Sequence, residues 1–216
     1  MARHEHDWQR WHQAYDVPGS RLARRLAVVK QCIREALGRM PNGPVRAISL
    51  CAGEARDLLE VLADHPRAAD VTGRLVELDP ALAARARASA PASIEVVCGD
   101  ASTTRAFEGA APADLVLACG IFGNITSDDI RRTVRTLPML CAPQGTVIWT
   151  RHPRPPDRTV DIRRWLGEAG FREISFVREP DAGFAAGAHR LEGPPLPYAA
   201  GVRLFHFVGA ANLRGP

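Results

Sequence analysis

The sequence predicts an α/β protein with a doubly wound, mostly parallel sheet of seven strands. Short β-type runs alternate with helical segments from Val45 onward, and this alternation is typical of a parallel sheet with helices on both faces. The last two predicted strands, residues 171–177 and 202–208, have no helical segment between them. We therefore expect the sheet to close with an antiparallel strand.

The alternation of elements can be followed along the chain in order. Apolar spacing of three and four residues indicates helices after most strands, and Gly or Pro residues separate the elements. The predicted strands cover residues 45–50, 73–80, 94–98, 113–119, 145–150, 171–177 and 202–208. Residues 178–201 are rich in Gly and Pro without clear periodicity, so we interpret them as a long functional loop.

The chain before the first strand is predicted to be helical, from Trp8 to about Met40. Trp8, Trp11 and Tyr15 recur at spacings of three and four residues and so share one helix face. Tyr15 adjoins a Pro-Gly turn and is the best placed of the three to reach a ligand. We divide the chain into an N-terminal helical cap, residues 1–43, and a sheet domain, residues 44–216.

Composition excludes several classes of function. The chain has 216 residues, five cysteines without a CxxC pair, and a formal net charge of +4 from basic residues that are spread along the sequence. We therefore expect no zinc or other metal site, no nucleic-acid partner and reduced thiols in the cytoplasm. No apolar run approaches the roughly 18 residues of a membrane span, and the polar N-terminus does not resemble a secretion signal. The single lysine, Lys30, argues against a Schiff base or a P-loop.

The stretch Val45 to Asp57 has the form of a nucleotide-binding loop. A β run leads into the small residues Cys51, Ala52, Gly53 and Ala55, and then into a helix. Small side chains let a ligand approach the backbone, and a helix N-terminus offers free N–H groups. The dinucleotide and P-loop glycine patterns are both absent. A tight turn without a ligand remains an alternative.

Acidic and small residues follow the next three strands. Glu77 ends the second, Asp100 follows the third, and Cys119-Gly120 follows the fourth. A carboxylate in the place of Glu77 can accept both hydroxyls of a ribose, and Asp100 could accept from an adenine amine. A helix cap or a solvated turn is the alternative for each acid.

These four motifs resemble those of class I S-adenosylmethionine-dependent methyltransferases, over roughly residues 44–208. The resemblance implies a Rossmann-like fold, S-adenosyl-L-methionine as cofactor and a small-molecule acceptor with an O, N or C nucleophile. The cofactor-binding residues that it implies, together with the N-terminal tyrosine, are Tyr15, Cys51, Ala52, Gly53, Glu77, Leu78, Asp100, Ala101, Cys119 and Gly120. The first motif departs from the family, because Cys51 and Ala55 stand where glycines are common and Ser49 where an acid is common.

Two histidines are candidates for a catalytic base. His152 follows the fifth predicted strand, and His189 lies in the long predicted loop. We expect that loop, with Tyr198, and the N-terminal helices to cover the carboxyl edge of the sheet as a lid. Two other functions stay open: a non-catalytic methyltransferase-like binding protein, and an adenine-nucleotide or NAD-dependent enzyme.

Overall fold

A computed structural model describes residues 13–209, which form a seven-stranded sheet with helices on both faces. Trp8 and Trp11 lie outside the described residues. The strands are β1 Val45–Leu50, β2 Val71–Glu77, β3 Ile94–Cys98, β4 Ala113–Ala118, β5 Cys141–Arg151, β6 Phe171–Glu179 and β7 Phe184–Leu191. The α-helices are α1 Arg21–Arg39, α2 Arg56–Leu62, α3 Pro80–Ser89, α4 Ser127–Leu140 and α5 Thr159–Glu168.

The strand order is β3-β2-β1-β4-β5-β7-β6, with β1 to β5 parallel and β7 antiparallel to both of its neighbours. The predicted doubly wound, mostly parallel sheet with an antiparallel last strand is therefore confirmed. The order reverses between β1 and β4, because β1 pairs with β2 on one side and with β4 on the other. Ligands of open α/β sheets bind at such a switch point, beyond the carboxyl ends of the strands.

The two faces of the sheet carry separate apolar cores. On one face, Ile33 of α1 and Leu58 of α2 pack with sheet residues that include Leu115. On the other, α4 and α5 pack on Trp149. Helix α1 thus shares its core with the sheet, and the domain boundary at residue 43 stays a prediction. Within residues 13–209 no helix is both long and apolar enough to cross a membrane.

The predicted loop at residues 178–201 is wrong. Strand β6 extends to Glu179, and β7 occupies Phe184–Leu191 within that segment. The small residues of β7 concealed it, because Ala and Gly are poor strand formers. Packing explains their presence: a β-carbon on Gly187 would lie 2.7 Å from the ring of Trp149.

The predicted strand at residues 202–208 is wrong as well, and these residues belong to a C-terminal strap, residues 192–209. The strap contains one isolated bridge, Thr103 to Arg203, and no strand. Its backbone N–H groups bond to several parts of the domain: Leu196 to the Pro138 carbonyl, Leu204 to the Ser102 carbonyl, His206 to Asp129 Oδ2 and Val208 to the Asn124 carbonyl.

Candidate functional site

The carboxyl ends of four neighbouring strands bring the sequence-predicted turn and acids together at one edge. The order β3-β2-β1-β4 sets Asp100, Glu77, the Cys51–Ala55 turn and Cys119-Gly120 side by side. This is the edge at the switch point, where an open sheet accepts a ligand. The structure places these residues together, while their roles in binding stay predictions.

The turn between β1 and α2 follows a path that normally requires glycines. Cys51, Gly53 and Ala55 have φ of 51°, 61° and 54°. The left-handed conformation costs a non-glycine residue about 1–2 kcal/mol, and the surrounding core holds Ala55 in it with only 2% of its surface exposed. The backbone therefore keeps the shape of a three-glycine loop although two of the glycines are replaced.

Glu77 is buried at the end of β2 and braces this turn. Its Oε2 accepts from the N–H of Gly53 at 2.7 Å, and its Oε1 accepts from the N–H of Asp79 at 2.8 Å. An ionised carboxylate offers about two acceptor sites on each oxygen. Each oxygen of Glu77 thus keeps one acceptor site for a further donor, such as a ribose hydroxyl.

An apolar surface and a carboxylate lie beside Glu77 on the β2 and β3 ends. Leu78 is 67% exposed, which is unusual for a leucine next to a buried strand. Asp100 Oδ1 and Oδ2 accept from the N–H and the hydroxyl of Ser102, at 2.8 and 2.7 Å, and Arg203 of the strap lies 3.8 Å from Oδ2. Ala101 is buried beneath them.

The end of β4 is open around its glycine. Gly120 has a φ of 83°, its N–H donates to Thr150 Oγ1 at 2.8 Å, and no atom lies within 4 Å of where a β-carbon would stand. Burial, and then the carboxyl of Asp57, raise the pKa of the Cys119 thiol. A protonated thiol is a weak nucleophile, so burial makes Cys119 a poor candidate for a catalytic nucleophile.

A polar cluster that the sequence did not reveal stands beside Cys119. The Tyr15 hydroxyl accepts from Arg25 Nη2 at 2.6 Å, and the Arg56 guanidinium lies 5.5 Å from the centre of the Tyr15 ring. Burial raises the pKa of Asp57, the first-turn carboxylate of α2, against the opposing effect of its bond from the Leu58 N–H and the charge of Arg25. Tyr15 therefore lies near the switch point, and its predicted role in cofactor binding stays a prediction.

His189 is not at this edge, which corrects the predicted loop and lid. It is 1% exposed within β7, opposite Val147, which lies four residues before the end of β5. Its Nδ1 accepts from Trp149 Nε1 at 3.3 Å, and burial lowers its pKa to about 4. The alanines and glycine around His189 led to the prediction of a loop where the structure has a strand.

His152 and Tyr198 lie in different parts of the molecule. His152 directly follows β5, and its Cδ2 is 3.0 Å from where a β-carbon of Gly123 would stand, so it adjoins the loop after β4. Tyr198 lies in the strap and donates to the Thr104 carbonyl at 2.7 Å. Of the two predicted bases, only His152 is near the candidate site.

No protein-family model and no curated protein sequence matches this chain. Solved structures do. The N-methyltransferase NodS from Bradyrhizobium japonicum WM9, in complex with S-adenosyl-L-homocysteine, is similar at a TM-score of 0.61 and 15% identity, over 86% of this chain and 98% of that one. The fold is that of the class I S-adenosylmethionine-dependent methyltransferases.

Two further structures are similar over most of this chain. Magnesium protoporphyrin IX methyltransferase (ChlM) from Synechocystis PCC 6803, with bound S-adenosylmethionine, has a TM-score of 0.66 at 12% identity, over 86% of this chain and 91% of that one. The CurJ carbon methyltransferase has a TM-score of 0.69 at 14% identity, over 87% of this chain and 59% of that one. The methyltransferase fold is thus shared, while the acceptor must be argued from this chain's own residues.

Proposed function

We propose that this protein is an S-adenosylmethionine-dependent methyltransferase that acts on a small-molecule acceptor. One observation carries the proposal. In a methyltransferase fold, four features follow one another along one sheet edge in the strand order β3-β2-β1-β4: Asp100, the buried Glu77 with the exposed Leu78, the left-handed turn after β1, and the open Gly120.

The residues present fit the cofactor at each part of the edge. The acceptor sites left on Glu77 suit two ribose hydroxyls, and Leu78 offers an apolar surface to the adenine ring. Asp100 can accept from the adenine amine, and Gly120 leaves room at the end of β4. When bound, the cofactor supplies a methyl group activated by the positive charge on its sulfur.

The protein must also orient the acceptor and, where the acceptor loses a proton, accept that proton. A group transfer between two bound molecules gains most from alignment of the reacting atoms. His152 lies beside the loop after β4 and is the candidate to take a proton from an acceptor that must lose one. Among residues 13–209 no group of three or more His, Cys, Asp or Glu side chains could hold a metal ion.

The test is a calorimetric titration of the protein with S-adenosylhomocysteine and, separately, with NAD. We expect saturable binding of S-adenosylhomocysteine and none of NAD, because the turn lacks the dinucleotide glycine pattern. Binding of NAD alone would contradict the proposal.

A second measurement separates a methyltransferase from a binding protein with the same fold. S-adenosylmethionine labelled in its methyl group is incubated with the protein and a panel of small O, N and C nucleophiles. Transfer of label that depends on both protein and acceptor supports catalysis. Cofactor binding without transfer to any member of a broad panel favours the non-catalytic alternative.

A further inference from the structure

A cavity of about 220 Å³ lies between α1 and the antiparallel part of the sheet. Its lining comes from the second half of α1, from the turn that follows α1, and from strands β5, β6 and β7. The turn after α1 leads into the start of β1, so the cavity lies toward the amino ends of the parallel strands. The candidate cofactor site lies at their carboxyl ends, and the cavity is therefore separate from it.

The floor of the cavity is apolar. Ala36 of α1, Ile174 of β6 and Ala188 of β7 line it, and the two alanines are only 6% and 3% exposed. These short side chains on facing elements leave space that larger ones would fill. An apolar cavity of about 150 Å³ in another protein accommodates benzene. The larger volume found in this chain therefore suits a ring of that size together with one small polar group.

Two backbone irregularities direct side chains into the cavity. The register of β6 with β7 shifts between Glu173 and Ser175. Ile174 and Ser175 both line the cavity, although neighbours in a regular strand face opposite sides of the sheet. Gln144 lines it as well and has a φ of 62°, which is uncommon for a residue other than glycine. The backbone thus shapes the cavity at two separate places, in β6 and in β5.

The cavity also offers hydrogen-bond donors from two neighbouring strands. The Ser175 hydroxyl on β6 has the Cys32 thiol 3.8 Å away, and a thiol is a weak partner, so the hydroxyl can still donate to a ligand. Arg190 on β7 donates through Nη2 to Glu192 Oε1 at 3.0 Å. In the described part of the chain its buried Nε donates to no acceptor. A ligand with oxygen acceptors matches this lining.

Positive charge exceeds negative charge by one among the residues that line the cavity and the ion-pair partners they bind. Arg39 and Arg190 line it, and Arg172 lies next to Arg190 because both donate to Glu192 Oε1. Glu35, the second carboxylate, pairs with Arg39 at 2.9 Å. Three guanidinium groups thus stand against two carboxylates. The remaining positive charge favours an anionic ligand over a neutral or cationic one.

From this cavity we infer a second ligand site, which binds a small monocarboxylate with an apolar body, about ten non-hydrogen atoms in all. The carboxylate accepts from Arg190 and Ser175, and the apolar body packs against Ala36, Ile174 and Ala188. Guanidinium donors match the geometry of carboxylate oxygens. Because the site is separate from the carboxyl edge, this inference does not rest on the proposed methyltransferase function.

The test follows the amide NMR spectrum of the wild-type protein during a titration with sodium benzoate at fixed pH and ionic strength. Benzamide and benzylamine, a neutral and a cationic molecule of similar size, are titrated in the same way. Arg190→Met removes the guanidinium and keeps an aliphatic stem, and Ala36→Leu fills the floor of the cavity. Arg24→Met is the matched control, because Arg24 also lies on α1 and also forms an ion pair, with Glu179 at the far end of β6.

We expect benzoate to shift the amide signals of Ile174 and Ala188 saturably, with a Kd of about 1 mM or lower, and to shift those of Gly53 and Gly120 much less. Benzamide should bind at least about threefold more weakly than benzoate, and benzylamine more weakly still. No saturable shift of the cavity signals up to about 20 mM benzoate would overturn the inference, and so would benzylamine binding as tight as that of benzoate.

The variants test the two parts of the ligand separately. Arg190→Met should weaken benzoate binding about threefold to fivefold and change benzamide binding by less than about twofold. Ala36→Leu should abolish the binding of both, and Arg24→Met should change neither. Thermal unfolding checks that each variant is folded. Benzoate affinity that is unchanged in Arg190→Met would contradict the inference even if Ala36→Leu failed to fold.

Discussion

At the scale of single residues, Glu77 has a second task that the sequence did not show. Its two oxygens hold the N–H groups of Gly53 and Asp79, so the residue shapes the site as well as facing it. In Glu77→Gln the amide can accept from only one of these two N–H groups. We expect the affinity for S-adenosylhomocysteine to fall at least tenfold and the free energy of unfolding to fall by about 1–3 kcal/mol.

Asp79→Asn is the matched control for this change. Asp79 is the N-cap of α3, where its Oδ1 accepts from the N–H groups of Ala81 and Leu82. Asparagine also caps helices well, so stability should change little and cofactor affinity should be retained. Calorimetry on both variants checks the pair. Lost affinity in Asp79→Asn with normal affinity in Glu77→Gln would reverse the assignment of the ribose acid.

His189 makes stability depend on pH. Burial lowers its pKa from the ordinary 6.5 to about 4, so below pH 6.5 the unfolded chain binds a proton that the folded protein resists. Protonation at Nδ1 would also break the bond from Trp149. This contribution is present above pH 6.5 and is lost as the pH falls to 4. With about 1.4 kcal/mol for each pKa unit, the difference between 6.5 and about 4 amounts to about 3.5 kcal/mol.

Urea unfolding between pH 7 and pH 4 checks this prediction. The steep loss of stability below pH 6.5 should be smaller in His189→Gln, which cannot take up a proton in this range. His206→Gln, a change at an exposed histidine of the strap, should keep the wild-type slope. Equal slopes in the wild type and His189→Gln would show that other groups cause the pH dependence.

At the scale of elements, the strap contains residues 202–208, which the sequence analysis predicted to be a strand. Leu204 and Phe205 are buried against the α4 face, and their apolar character resembles that of a core strand. The backbone of the strap instead bonds to scattered groups, including the Ser102 carbonyl and the Asp129 carboxylate. Apolar patterning predicts burial well, and it does not tell which backbone partners a segment will find.

At β7 the sequence prediction failed in the opposite way, because a strand was predicted to be part of a loop. Its alanines and glycine lack the branched side chains that mark strands, and the constraint that selects them is the Trp149 ring on the neighbouring strand. The first five strands were predictable because each is a short apolar run next to a helical segment. The turn, the acids and Gly120 followed from those strands, whereas Asp57 and Arg25 depend on the placement of α1 and could not be read from spacing.

Phe205 is the largest fully buried side chain of the strap, and we expect it to be the main anchor of that segment. Removing its buried ring in Phe205→Ala should destabilise the protein by about 3–4 kcal/mol, since the lost side chain leaves a cavity. Phe207→Ala is the control on the same segment. Phe207 is 45% exposed, so the loss of stability should be about 1 kcal/mol or less. Thermal unfolding of both variants checks the difference. Similar losses would mean that the strap is held by its backbone bonds and not by this ring.

At the scale of the whole molecule, the candidate site lies at one edge of the sheet, the edge formed by the carboxyl ends of the parallel strands. Parallel strands send all of their carboxyl ends to one side, so the turns after β1, β2, β3 and β4 meet there. The opposite edge carries the connections that enter the strands.

Because the candidate site lies at one edge, we expect the two edges of the sheet to differ in how cofactor binding changes their amide hydrogen exchange. At about 100 times its Kd, S-adenosylhomocysteine should stabilise the folded protein by about 2.7 kcal/mol, which corresponds to a rise in melting temperature of about 5–10 °C. Amide hydrogen exchange should slow most at Gly53 and Gly120, whose N–H groups bond to Glu77 and Thr150 in the turns that would surround the ligand. Residues 91–93 and 109–112, in the connections at the opposite edge, should respond only as far as global unfolding controls their exchange. Stronger slowing in those connections than at Gly53 and Gly120 would place the ligand on the wrong side of the sheet for methyl transfer as proposed.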